Sequence, residues 1–231
     1  MLYLIGSAHC QIGQSKRKLK QIYNRVKPDV ILSETSEGEA QVFELQAPAL
    51  TLTLSQTYPD VRKIPEIIEL LRERYLGFEY CFNRTYAQTN RITHFCFDRF
   101  DETHAIRISQ NLEDQIRMLM SGQLELVEES LRAKKRPDIP VKKIRKDWEK
   151  YEKNEGTPEQ DKRLQGNDEF KRDIVMEEHL RRLYQPDKTL VAIVGAVHTL
   201  ESHSGITLYS RIKDLDPRRI LLFQPLAGQL E

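Results

Sequence analysis

Residues 1–13 read MLYLIGSAHCQIG and residues 189–203 read TLVAIVGAVHTLESH; in each, a short apolar run ends in Gly-x-x-His, at Gly6 to His9 and again at Gly195 to His198. An uninterrupted apolar run closed by glycine is the pattern of a strand covered by helices on both faces, as in a parallel sheet. The glycine suits a chain that leaves such a strand sharply, through positive φ or close backbone approach, and the histidine lands on the turn beyond it.

Outward from the first run, Leu19, Ile22, Tyr23 and Val26 recur at helical spacing until Lys27 and Pro28 end the pattern, and DVILSE, Asp29 to Glu34, forms a second apolar run. This strand, helix and strand read as a βαβ unit with its two strands as parallel neighbours. From Ser36 to Asn90 the pattern is mainly helical, clearest in RKIPEIIELLRERY, where Ile64, Ile67, Ile68, Leu71 and Tyr75 share a face and Pro65 suits the first turn; LTLTLSQTY, Leu50 to Tyr58, fits helix or strand. ITHFCFDRFD, Ile92 to Asp101, predicts a third strand. Residues 109–155 predict two or more helices, Asn154 to Asp168 a polar loop, Asp168 to Tyr184 a helix, Thr189 to Gly195 a strand, the residues after His203 a helix, and Arg219 to Phe223 a last strand. The expected fold class is α/β: one domain over residues 1–231, a mostly parallel central sheet flanked by helices, and a charged helical insertion at about 109–166.

Lys and Arg total 36 against 35 Asp and Glu, a net charge of +1, so the molecule as a whole has no field to hold nucleic acid or an anionic membrane. Residues 132–153 carry ten basic and four acidic side chains, but with Trp148 and Tyr151 as the only aromatics and no recognition motif the stretch reads as a solvated helical face, and nucleic acid is not an expected partner. The three cysteines, Cys10, Cys81 and Cys96, lack C-x-x-C spacing and read as small buried hydrophobes in a reducing compartment. The apolar run Leu2 to Ile5 is too short for a signal segment, and no stretch has the length of a membrane span. A soluble, cytoplasmic protein is expected, with its oligomeric state open.

In a parallel sheet, ligands bind beyond the carboxyl ends of the strands. There the first strand delivers Gly6, Ser7, Ala8 and His9, the second Glu34, the third Asp98 and Arg99, and the late strand Gly195 and His198. Two imidazoles and a carboxylate suit zinc, manganese, iron or cobalt with open positions for water and substrate. The same groups suit metal-free chemistry, one histidine acting as general base beside Glu34 and the other stabilising an oxyanion.

In order, GSAH at 6–9, KPDVILSE at 27–34, LGFEYCF at 76–82, CFDRF at 96–100, KRDIVMEEHL at 171–180 and GAVH at 195–198 resemble the TraB/PrgY and Tiki superfamily, which takes in GumN-like, erythromycin esterase-like and ChaN-like proteins. The likeness is greatest to the TraB branch and spans residues 2 to about 215, with no matching motif between Gln110 and Gly166. It implies an erythromycin esterase/ChaN-like fold and places His9, Glu34, Glu79, Asp98, Arg99, Arg172 and His198 in or beside one site whose backbone Gly6, Gly77 and Gly195 shape. His9, Glu34 and His198 are the implied divalent-metal ligands or acid/base groups. Arg172 is the cation for an oxyanion or substrate carboxylate, with Glu79 or Asp98 behind the ligands, while Asp98 and Arg99 are equally well read as a structural ion pair. Lys171 stands where the TraB-like pattern has Glu. His179 shares a helical face with Arg172 but reads, with His94, His104 and His203, as an ordinary partly buried histidine, and Cys10 falls outside the implied set. The activity implied is hydrolysis of a peptide or small ester, metal-dependent in the first reading and a metal-independent esterase in the second. A third reading is a haem- or iron-binding protein without turnover, as the ChaN-like relatives suggest.

Overall fold

The computed structural model describes residues 1–8, 12–57, 60–123, 141–165 and 170–229. In chain order the elements are β1 (Leu2–Ser7), α1 (Ile12–Val26), β2 (Val30–Ser33), α2 (Glu37–Thr57), α3 (Ile64–Asn90), β3 (Thr93–Cys96), α4 (Glu102–Met120), α5 (Val141–Glu152), α6 (Pro158–Leu164), α7 (Phe170–Leu183), β4 (Leu190–Gly195), α8 (Leu208–Arg211) and β5 (Arg218–Leu221), with 3-10 turns at Val61–Lys63, Ala196–Thr199 and Lys213–Leu215. All five strands are parallel, in the order β3-β2-β4-β1-β5.

The two strands that carry the Gly-x-x-His runs lie at the heart of this sheet, and every residue of both is buried. Alternation along β1 sends Tyr3 and Ile5 to one face, where Leu19, Ile22 and Tyr23 of α1 and Phe78 and Ala87 of α3 cover them, and Leu2 and Leu4 to the other, under Met176 and Leu180 of α7 and Leu208 of α8. The outer strands differ in kind. β3 exposes Thr93 and Phe95, and β5 begins with Arg218 and Arg219, charged residues that blunt a sheet edge. A second core of Phe43, Leu50, Leu54, Ile67, Leu71, Ile108 and Leu112 binds α2, the first half of α3 and α4 into a separate helical layer. Of LTLTLSQTY, residues 50–57 therefore resolve as helix, because Leu50 and Leu54, one turn apart, both enter this core, while residue 58 lies outside the described residues.

β1 and β2 are parallel but not neighbours, contrary to the simple βαβ expectation: β4 lies between them, paired with β1 from Leu2↔Leu190 to Ser7↔Gly195 and with β2 from Val30↔Leu190 to Ser33↔Ile193. The centre goes to the strand that is apolar throughout. Of the Asn154 to Asp168 stretch, residues 166–168 lie outside the described residues, and the rest is more ordered than a polar loop, since the Thr157 side chain accepts from Gln160 N–H and Pro158 opens α6, while Asp161 is buried. The helix after His203 is reduced to α8. Of the basic stretch, residues 132–140 lie outside the described residues.

Gly6 is required for approach rather than for left-handed backbone: a Cβ there would lie 3.1 Å from Ala196 Cα and 2.7 Å from Leu221 Cδ2. Gly195, at φ −56°, is not in the left-handed region either. Gly77 is the reverse case: at φ 83°, ψ 154° inside α3 it occupies a region open essentially to glycine alone and kinks the helix. Gly77→Ala is expected to lower stability by about 1–3 kcal/mol, read as a lower urea midpoint with an unchanged slope.

Candidate functional site

The chain leaves β2 towards β3 and leaves β4 towards β5, so the adjacent ends of β2 and β4 form a topological switch point, where open parallel sheets bind ligands. Glu34, the first residue beyond β2, extends the pairing by donating its N–H to Ile193 O at 3.1 Å. Its carboxylate spans the gap: Oε2 accepts the Gly195 N–H, and Oε1 accepts from Arg172 Nη2 at 2.8 Å. Arg172, in the first turn of α7, also grips Asp98 with two bonds, Nε to Oδ1 at 2.9 Å and Nη2 to Oδ2. Such bidentate, charge-assisted pairs fix orientation as well as contributing energy. Burial raises the Asp98 pKa, and the Arg172 guanidinium opposes that shift.

His198 lies in the 3-10 turn after β4 with its side chain 3% exposed. Nδ1 is 2.5 Å from Oδ1 of Asp173, a buried carboxylate whose other oxygen accepts the Leu208 N–H at 2.5 Å. The Nδ1 contact is a close charge pair rather than an aligned hydrogen bond, because neither atom has a partner of hydrogen-bonding geometry. Nε2 faces Glu34 Oε1 at 3.4 Å, and the ring edge rests on Phe170, with centroids 5.8 Å apart. Burial disfavours the imidazolium, but Glu34 and Asp173 together outweigh it and raise the pKa to about 10. Burial also raises that of Asp173, with His198 pulling the other way, so the pair holds its proton firmly.

Glu79 lies under the first Gly-x-x-His run, accepting a hydrogen bond from the Ser7 hydroxyl. The Gly77 kink makes this possible: a Cβ at that position would sit 3.2 Å from Glu79 Oε2. His9 and Cys10 lie outside the described residues. Arg99 is exposed and does not pair with Asp98 through its side chain; it gives Asp98 only a backbone N–H, at 2.6 Å, and the salt bridge goes to Arg172 instead. Of the other histidines, His94 is half-buried and bonded to Ser33 Oγ at 2.9 Å, and His179 is half-buried on α7. His104 and His203 are exposed, not partly buried, His104 holding Glu39 at 2.8 Å. Burial pushes the thiols of Cys81 and Cys96 upward, which keeps them protonated and unreactive.

Asp173 was not singled out from sequence, although it follows Arg172 directly. Helical geometry turns neighbours by about 100°, so Arg172 reaches Glu34 and Asp98 while Asp173 points into the core beneath His198. The signal was a charged Arg-Asp pair in a helix whose next apolar residues, Met176 and Leu180, are core. Beside the cluster opens a cleft of about 780 Å³ whose lining includes Glu34, Leu76, Asp98, Phe100, Lys171 and Arg172. No family model, curated protein or solved structure was found to match the chain. No helix among the described residues is long and apolar enough to cross a membrane.

For metal, the described residues offer Glu34 Oε1 and His198 Nε2. Their 3.4 Å separation is long for a hydrogen bond. It is close to the ligand–ligand edge of about 3.3 Å set by a tetrahedral ion about 2.0–2.1 Å from each donor. A carboxylate on the remaining ring nitrogen is the usual companion of a ligating histidine. Among the described residues, no three His, Cys, Asp or Glu side chains surround one point, so the third donor would come from elsewhere, the place expected of His9.

In metal-free protein the raised pKa makes His198 a stability switch. An unfolded histidine titrates near 6.5, so the stabilisation from imidazolium with Glu34 and Asp173 is complete below that pH and is lost as pH rises through about 10. His198→Asn is therefore expected to cost about 3–5 kcal/mol near pH 6, with the gap from wild type narrowing steadily towards pH 10. A gap independent of pH in urea titrations would remove the ion-pair assignment.

Proposed function

We propose that the protein is a metal-dependent hydrolase acting on a peptide or ester bond, consistent with the resemblance of its motifs to the TraB and Tiki proteins and their erythromycin esterase/ChaN-like frame. The observation that carries this reading is the pairing of Glu34 Oε1 with His198 Nε2 at 3.4 Å, with Asp173 behind the imidazole and an open cleft beside the carboxylate.

A divalent ion held by Glu34, His198 and, in this reading, His9 would supply Lewis acidity to the scissile carbonyl. The chain's own residues do the rest. Asp173 fixes the ring of His198 so that Nε2 faces the site, and the Leu208 N–H fixes Asp173 in turn. Arg172 and the Gly195 N–H hold both oxygens of Glu34, which cannot swing away from the strand end. Arg172 is already matched by two carboxylates. It thus acts first as the group that positions Glu34, and its field is the cation nearest a developing oxyanion. Preorganisation of this kind matters because a ligand loose by 1 Å loses much of its effect.

The test joins binding to turnover. Titration of chelator-stripped protein with Zn²⁺, Mn²⁺, Co²⁺ and Fe²⁺ is expected to give one tight site, weakened at least 100-fold in Glu34→Gln and His198→Ala. A panel of fluorogenic peptides and nitrophenyl esters is expected to show hydrolysis that stops on chelation and returns with metal. Activity that survives chelation would transfer the site to metal-free esterase chemistry, and a Soret shift on haem addition without any hydrolysis would replace the enzyme by a ligand carrier.

Asp173→Asn separates positioning from ligation. It keeps the side-chain shape but removes the charge behind His198, and is expected to weaken metal binding about 10- to 100-fold while leaving the fold intact by circular dichroism. An unchanged affinity would deny Asp173 that role.

A further inference from the structure

Within the lining of the cleft beside Glu34, Arg172 pairs with both Glu34 and Asp98, and Glu39 meets the His104 ring at 2.8 Å. Arg99, Asp101, Glu102 and Lys171 add two charges of each sign, so the lining is mixed in sign and forms no dedicated cradle for an anion or a cation. One lining group is out of character. Phe100, on the loop that follows Asp98, leaves half its surface open, 50%, in a cleft whose other described lining is largely polar and charged. A large exposed apolar side chain inside a concave site calls for a ligand, whereas one scattered on a convex surface does not.

The ring is also mounted. Its Cδ2 and Cε2 edge lies against Gly38 in the first turn of α2, so closely that a Cβ there would meet Cε2 at 2.6 Å and Cδ2 nearer still. Gly38 is inside a helix, where alanine is the better residue by backbone propensity. Glycine at this place therefore serves the ring: it lets Phe100 lie on the helix backbone with one side supported and the other turned to the cleft. Leu76 and Tyr75 line the same cleft.

We infer that Phe100 is the specificity platform of this site, receiving an uncharged aromatic or large apolar side chain that flanks the scissile peptide or ester bond. An aromatic ring on a preset platform binds by offset or edge-to-face packing and loses little freedom. The placement of the scissile bond rests on the hydrolase reading; the platform itself does not, and direct binding tests it apart from turnover.

The probes are N-acetyl-phenylalanine methylamide and N-acetyl-alanine methylamide, both neutral, titrated into the whole chain and followed by saturation-transfer and chemical-shift NMR. The phenylalanine compound is expected to bind at least tenfold more tightly. Phe100→Ala is expected to abolish the difference and Phe100→Trp to retain it. Gly38→Ala is expected to reduce it severalfold by displacing the ring, while the fold stays at least as stable in thermal melts. Exhaustive chelation of the wild-type chain is expected to leave the preference intact, so a failed hydrolase reading with a surviving preference is distinguishable from a failed platform. Equal affinities in wild type, no detectable binding of either probe, or a preference that persists in Phe100→Ala would each overturn the inference.

Discussion

Three carboxylates, those of Glu34, Asp98 and Asp173, are buried at one end of one sheet, and they can stay there only because the half-buried Arg172 and the buried His198 lie among them. An uncompensated buried charge costs several kcal/mol, so the two cations are a condition for the fold at this edge as much as for any chemistry. α7 supplies one of these cations and one of the carboxylates, in two successive residues. Arg172 ties β2 to the turn after β3, and Asp173 ties β4 to α8 through His198 and the Leu208 N–H. Together they join four loops into a single wall.

That wall explains why a rigid site can exist at the end of such short strands. β2 and β3 have four residues each, and their ends would fray without side-chain ties. Arg172 holds Glu34 and Asp98 within one fork, and the Gly195 N–H closes the gap to β4. Below this layer, Ser33 Oγ is joined to Asn83 at 2.7 Å and to His94 at 2.9 Å, and Asn83 receives the Tyr23 hydroxyl at 2.6 Å. Polar groups are thus satisfied in two successive layers, one facing the core and one facing the cleft.

Much of this was legible in the chain. β1 and β4 declared themselves because strands buried on both faces must be apolar throughout, although the neighbour expected for β1 was β2 rather than β4. Glu34, Asp98 and Arg172 were named from sequence, and the structure brings them together. The partners were harder to read. Asp98 stands beside Arg99 in sequence, yet consecutive residues diverge and the fork comes from α7. Asp173 escaped notice for the same reason, as its orientation depends on how α7 lies on the sheet. The position of β4 between β1 and β2 left no local trace, because β1 and β4 are alike in being buried at every residue and the order is set by pairings between segments far apart in the chain. α6 was hidden by its polarity, although Thr157 and Pro158 are a proper helix start.

The strand order also governs when the molecule can come into being. Both sheet neighbours of β1, β4 and β5, follow β2 and β3 in the chain, so until β4 is synthesised β1 has no sheet partner among the described strands. Before then the pair available among the described strands is β2 with β3. The N-terminal run must wait as an open apolar edge, the kind of segment that invites mispairing and chaperone capture. When β4 arrives it joins β1 to β2 and delivers His198 in the same event, so the centre of the sheet and this side of the site form together, before β5 closes the edge.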